Sequence, residues 1–207
     1  MYADDIKVMI VSALLPTLDF DEVLGSEVRF GDGKYRADLV VSSPTRLSAI
    51  EIKGPRDNFD KLDEQARGYG SMFLDFSVAT TANWLPLLRS RLPRSTGLIT
   101  LDEDGIQYVR KPQQRNTLST DASLKWLRSN DLKRLMLLHD LPQTGLHEAL
   151  AEKALKISRN SLSEFTLTAI HERLATRFES FRSELGSTVT LDDVRMLTLS
   201  ERIIGKL

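Results

Sequence analysis

Cysteine is absent from all 207 residues. That excludes a disulfide framework, a Cys-based zinc site, an iron–sulfur cluster and a thiol nucleophile. Histidine is scarce, with three residues. His139, His147 and His171 share no ligand spacing with each other or with acids, so they read as surface or capping residues and argue against His-driven chemistry. A charge excess is also lacking. Lys+Arg is 28 and Asp+Glu is 29, a net charge of −1, so no global basic surplus points to nucleic acid. No apolar run reaches the ~18 residues of a spanning helix. The start is apolar from Ile6 to Leu15 but carries Asp4, Asp5 and Lys7, which does not fit a signal peptide. The expectation is a soluble cytoplasmic protein with no membrane partner, one ordinary domain or a small domain with an appendage.

What is present is a change of period along the chain. Asp4–Leu15 keeps helical spacing through Ile6, Met9, Ile10, Ala13 and Leu14, and Pro16 ends it. Leu24–Phe30 alternates, Gly31-Asp32-Gly33-Lys34 signals a tight turn, and Tyr35–Ser42 follows as the second arm of a hairpin. Leu47–Lys53 is a third strand. Gly54-Pro55 breaks it, and Asp57 is placed to cap a helix running to about Leu74. Phe76–Thr81 is a fourth strand, Trp84–Leu92 a short helix, Gly97–Leu101 a fifth strand, and Asp102–Gly105 a turn into Ile106–Arg110. After Lys111-Pro112-Gln113-Gln114 the strands stop. Helices are expected at Asp121–Asn130, Asp131–His139, Gly145–Lys156, Ser161–Leu185 and Leu191–Lys206. The order αβββαβ predicts an α/β core with a mixed sheet flanked by helices over residues 1–115, and an all-α C-terminal region over 116–207.

The chemistry sits in residues 35–53. Side chains two apart on a strand share a face, so Glu51 and Lys53 project together. The neighbouring strand brings Asp38 beside Glu51. The flanking Leu39, Val41, Ile50 and Ile52 are apolar, as in strands buried on both faces. Two adjacent carboxylates in such surroundings repel, and a divalent cation relieves the repulsion. Oxygen ligands without His or Cys favour Mg²⁺ or Mn²⁺. The plainer interpretation is a solvated strand face with a cross-strand pair from Glu51 or Lys53 to Asp38 or Arg36, worth ~0.2–1 kcal/mol.

Asp38 followed by Glu51-Ile52-Lys53, after a helix and a hairpin, resembles the PD-(D/E)XK nuclease superfamily with its restriction-endonuclease-like core. Gln65 and Tyr69, one turn apart on the next helix, are similar to the Q-x-x-x-Y of several branches. The run Glu51–Asp57 with Leu62, Gln65, Tyr69 and Phe73-Leu74-Asp75 resembles a bacterial and phage branch with a helical C-terminal extension. The match covers residues 3–111 well. Ala37 stands where the family has Pro, which removes no ligand.

The resemblance implies metal-dependent hydrolysis of phosphodiester bonds, in DNA rather than RNA. It implies that Asp38 and Glu51 bind Mg²⁺ (or Mn²⁺) with the Ile52 carbonyl, that Glu27 is an additional acidic ligand, that Lys53 positions or activates the attacking water, and that Gln65 orients the site. A homodimer is expected because one such site cuts one strand. The alternative is a non-cutting binding, regulatory or inhibitor protein on the same scaffold, carried by a phage or mobile element. A third option is a structural α/β domain with a chance match, since the motif is short and fold does not fix function.

Several residues carry two interpretations. Glu27 is a ligand or an exposed edge-strand acid; Gln65 is a site residue or a solvated helix residue; Tyr69 reads as core; Trp84 and Trp126 stack on bases or, among their apolar neighbours, pack in the core. Arg89, Arg91, Arg94, Arg110, Lys111 and Arg115 cluster against Asp102, Glu103 and Asp104. With Arg36 and Arg56 they suggest a rim for phosphates, or an ordinary solvated surface. The helical region holds 13 basic and 12 acidic residues from Asn116 onward, a net +1. Lys125, Arg128, Lys133 and Arg134 lie close together there. That region is a nucleic-acid module, a dimerisation element or a contact for a protein partner.

Overall fold

The computed structural model describes residues 3–55, 57–102 and 105–198. The order of elements is α1 (Ala3–Leu14), β1 (Val23–Phe30), β2 (Tyr35–Ser43), β3 (Arg46–Lys53), α2 (Leu62–Met72), β4 (Asp75–Thr81), α3 (Leu85–Arg91), β5 (Gly97–Asp102) and β6 (Gly105–Arg110). Five helices follow: α4 (Thr120–Trp126), α5 (Ser129–Leu138), α6 (His147–Ala154), α7 (Arg159–Glu184) and α8 (Leu191–Met196). The expected α/β class with a helical C-terminal part is observed.

The strands form one six-stranded sheet in the order β1-β2-β3-β4-β5-β6. β1, β2 and β3 are antiparallel neighbours. β4 and β5 run parallel to β3 through the crossovers α2 and α3, and β6 returns antiparallel. The sheet is therefore mixed. Its central strands are buried nearly throughout: β3 from Leu47 to Lys53 and β4 from Asp75 to Thr80. That is what apolar runs without alternation predict.

Several boundaries differ from the sequence expectation. α2 starts at Leu62, not near Asp57, because the Asp57 carboxylate folds back to accept the Gly54 N–H (2.7 Å) and closes a turn. α2 stops at Met72 because Phe73 is extended and Leu74 donates to the Leu47 carbonyl (2.9 Å). The break between α4 and α5 falls at Leu127–Arg128, earlier than expected. Leu127 is extended, and Asp131 accepts the Arg128 N–H (3.0 Å), closing a capping arrangement. Of the last helix, the described part ends at Met196; its expected continuation past Thr198, like Glu103 and Asp104 of the β5–β6 turn, lies outside the described residues.

One hydrophobic core runs through the sheet, α1, α2 and the C-terminal helices. It joins Ile6, Leu39, Ile50, Tyr69 and Val78 to Trp126, Leu167, Ile170, Leu174 and Phe181. A smaller core of Leu132, Leu135, Met136, Leu150 and Leu162 holds α5, α6 and α7 together. Contact between β1 and α7 is close at Gly25, where any Cβ would press on Leu174. Gly97 is tighter. A Cβ there would overlap Ser77 Oγ and sit 2.9 Å from Pro112 Cδ. Gly97→Ala is expected to cost ~1–3 kcal/mol through overpacking, read as a lower urea midpoint with an unchanged m-value.

Candidate functional site

The β2–β3 ladder pairs Leu39 with Ile50. One step along, Asp38 comes opposite Glu51 on the same face. Asp38 Oδ2 accepts the Ile52 N–H (2.7 Å). Burial and the neighbouring Glu51 carboxylate push Asp38 up to about 7, against the pull of the Ile52 N–H and of Lys7. Its charge is only partly compensated.

Glu51 is 5% exposed and well satisfied. Lys53 Nζ lies 2.8 Å from Oε1, and Gln65 Nε2 donates to the same oxygen (3.1 Å). The Tyr69 hydroxyl reaches Oε2 and also lies 3.1 Å from the Arg36 carbonyl. Gln65 and Tyr69 are one helical turn apart, so one face of α2 delivers both to Glu51. Tyr69 is also core: it is 1% exposed and stacks on Phe76 at 4.2 Å. Burial and Glu51 raise its pKa well above the ordinary tyrosine value, which keeps the hydroxyl protonated.

Glu27 takes a different part. It has φ +56° inside β1, a left-handed conformation that costs ~1–3 kcal/mol for a residue with a Cβ. The ladder pairs Ser26 with Leu39 and Val28 with Ala37, skipping Glu27 opposite Asp38. Its carboxylate pairs with Lys7 from α1 and with Arg36 Nε (2.6 Å). Each carboxylate oxygen of this strained residue meets a cation.

A cleft of about 470 Å³ opens over these groups. Asp38, Glu51, Gln65 and Tyr69 form its floor; Arg29, Arg36, Lys34 and Lys61 bring cations to it. Lys34 (2.8 Å) and the Tyr35 hydroxyl (3.2 Å) hold Glu64 across the mouth, tying the β1–β2 hairpin to α2.

A family model for bacteriophage P4 protein cII matches residues 1–198. The chain belongs to that family. Protein cII of Enterobacteria phage P4 is 23% identical over 190 residues, covering 88% of this chain and 72% of the phage protein. A solved structure, the SPO1766 protein of unknown function from Silicibacter pomeroyi, aligns with a TM-score of 0.45 at 20% identity, covering 68% of this chain and 93% of that one.

Within this cII-family chain, the structure brings Asp38, Glu51, Lys53 and Gln65 together, with Ile52 between them. Arg36 lines the cleft. Arg56 lies outside the described residues. The other suggested rim residues are elsewhere. Arg91 is bound to Asp63 (2.6 Å) and the Phe59 carbonyl (2.9 Å). Arg89 and Arg94 stand near Arg110, whose pKa burial and these two cations lower. Lys111 lines a separate hollow with Ser48 and Asp75. Trp126 is buried and donates to the Met72 carbonyl (2.8 Å), and Trp84 packs on Phe59 at 4.4 Å. His147 and His171 meet backbone carbonyls of Leu127 (3.0 Å) and Ser42 (3.3 Å), away from the cleft.

Sequence reasoning missed Lys7, Arg29, Lys34 and Lys61. Lys7 had a signal: it falls beside Ile6 and Ile10 on the buried side of α1, where an ammonium needs a partner.

Of the two facing carboxylates, Asp38 fits a hard divalent cation, being buried and short of positive charge, whereas Glu51 would join it only by giving up a contact with Lys53, Gln65 or Tyr69. Glu27 does not fit as a third ligand, since Lys7 and Arg36 occupy it. Among the described residues, no group of three or more acidic, His or Cys side chains gathers as a metal cluster. Among the same residues, no helix is long and apolar enough to cross a membrane.

Proposed function

We propose that the protein is a phage-associated nucleic-acid-binding protein on a nuclease-like scaffold, with the phosphate backbone seated in the cleft between β2, β3 and α2. One observation carries this: Arg29, Lys34, Arg36 and Lys61 line the cleft and, with Lys53 neutralising Glu51, outnumber its other carboxylates Asp38 and Glu64, in a chain whose net charge is −1. Such local focusing attracts a phosphate backbone even where the whole molecule is neutral. Membership in a phage protein family supports the binding or regulatory role. So does the pairing inside the site. Lys53, Gln65 and Tyr69 satisfy Glu51, and Lys7 and Arg36 satisfy Glu27, so backbone binding displaces none of them except the exposed Arg36.

The second reading is hydrolysis of the bound phosphodiester, in DNA by resemblance to the PD-(D/E)XK superfamily. It is favoured by the Asp38–Glu51 pair. These two residues would hold Mg²⁺ or Mn²⁺, with the Ile52 carbonyl beside them. A cation bound there supplies a Lewis acid and lowers the pKa of water. Lys53 orients a water through its ammonium, Gln65 and Tyr69 fix the Glu51 carboxylate, and the cleft cations steady the phosphate.

The test uses labelled duplex DNA, single-stranded DNA and RNA with the full chain, in EDTA, Mg²⁺ and Mn²⁺. Binding in EDTA is expected, with the salt slope of the affinity falling by about 2 in Arg29→Ala/Arg36→Ala. Products that need a cation and vanish in Asp38→Ala and Lys53→Ala establish the second reading in place of a non-cutting role. Absence of binding to all three nucleic acids overturns both.

A further inference from the structure

The cleft is one end of a longer basic path. Arg29, at its edge, also lines a narrow notch beside Val28, Trp126, Arg128 and Arg173. Arg128 and Arg173 in turn line a hollow of about 530 Å³ over α5 and α7, together with Ser129, Asn130 and Arg134. Adjacent hollows share arginines: Arg29 borders the cleft and the notch, and Arg128 and Arg173 border the notch and the outer hollow. They lead from the Asp38–Glu51 pair on the sheet to the C-terminal helices.

The charge along the path differs from that of the chain. In the outer hollow, Arg128, Arg134 and Arg173 face Asp131 and Glu172, one cation in excess. Arg134 is bidentate to Glu172 (2.8 and 3.2 Å), and Arg173 meets Asp131 (2.7 Å), so these guanidiniums are held rather than floppy. The notch adds Arg29, with no acid among its lining residues. Cations strung along a line, rather than gathered at one spot, suit a polymer whose charges repeat.

We propose that a nucleic-acid strand leaving the cleft runs past Arg29 and over α5 and α7, making the C-terminal helices part of the binding surface. This rests on the cleft's holding nucleic acid, and it goes further by giving the helical region a share in the affinity and by making affinity depend on strand length. Ser129 and Asn130 supply neutral donors next to the arginines. Strands too short to reach past Arg29 engage the cleft alone.

The experiment measures anisotropy of labelled single-stranded oligonucleotides in EDTA. Lengths of about 6 and about 24 nucleotides lie near the lower end of, and beyond, the ~4–16 that one groove covers. Wild type is compared with Arg128→Ala/Arg134→Ala, and with Arg128→Lys/Arg134→Lys as the charge-keeping control; melting curves establish that each is folded. The alanine pair is expected to lose about tenfold in affinity for the long strand, with its salt slope lowered by about 1.4, and to leave the short strand unaffected. The lysine pair is expected to retain the long-strand affinity. Wild-type affinity that is equal for both lengths, or an alanine-pair loss that is equal for both, overturns this path and leaves the cleft reading standing. Wild type that binds neither length overturns the cleft reading and this one together. Displacement of the long strand from α5 and α7 by polyglutamate of equal charge and at equal concentration overturns it in favour of an acidic protein partner.

Discussion

Asp38→Asn is expected to raise the melting temperature of the cation-free protein at pH 8 and to erase its response to divalent cations. The folded pKa of about 7 lies above the ordinary value of 3.8. Below 3.8 the carboxyl is protonated in both states, and it costs nothing. Between 3.8 and 7 the unfolded chain ionises while the folded one keeps the proton, so stability falls as pH rises. Above 7 the cost is complete. Asn removes the repulsion with Glu51 and keeps an oxygen to accept the Ile52 N–H. Each kcal/mol recovered is worth ~2–4 °C at this chain length, and a rise of about 5 °C at pH 8 is expected. The gain should vanish near pH 4. In the wild type, Mg²⁺ or Mn²⁺ should raise the melting temperature at pH 8 and less at pH 6, where protons compete for Asp38. Scanning calorimetry at three pH values checks all of this. An Asn variant less stable than wild type at pH 8 would sink the account of Asp38 as a buried charge short of a partner.

Phe73→Ala is expected to be the most damaging single truncation near the site. Phe73 is 1% exposed and sits edge-on to Phe30 (4.9 Å, 85°) and to Trp126 (5.4 Å, 86°). It thus joins β1, the end of α2 and α4. Tyr69 packs against it at 5.6 Å. Truncating a buried Phe costs ~3–5 kcal/mol, a large share of the ~5–15 kcal/mol that holds a domain folded. A melting-temperature drop of about 6–20 °C follows. Tyr69 loses its support at the same time, so Glu51 loses a fixed donor. Phe73→Leu keeps most of the volume and should recover much of the loss. A drop under about 2 °C for the alanine variant would mean that the aromatic cluster does not bridge the two parts.

Much of this was legible in the sequence because the signals were local. Alternation in Leu24–Phe30, the turn at Gly31–Lys34 and the apolar run Leu47–Ile52 placed the strands that carry Asp38 and Glu51. The one-turn spacing of Gln65 and Tyr69 placed both on one face of α2. What escaped depended on long-range partners. Asp57 looks like a helix cap, yet its carboxylate closes a turn with Gly54. Glu27 looks like an exposed strand acid or a ligand; only the fold shows the left-handed kink and its two cations. The basic residues around the cleft come from Arg29 to Lys61, not from the dense run between Arg89 and Arg115, because linear crowding of charge says nothing about which cleft it faces.

The core that passes from the sheet into α4 and α7 has a consequence for ancestry and for engineering. Leu174, Ile170 and Phe181 cover strands whose own helices leave that side open. A gene fragment ending near residue 115 therefore encodes a sticky intermediate rather than a portable module, and the helical half is no cassette that recombination can swap. Changes at Gly25 and Leu174 have to be accepted in pairs. The two halves share one core, so a change on either side of it is felt by both.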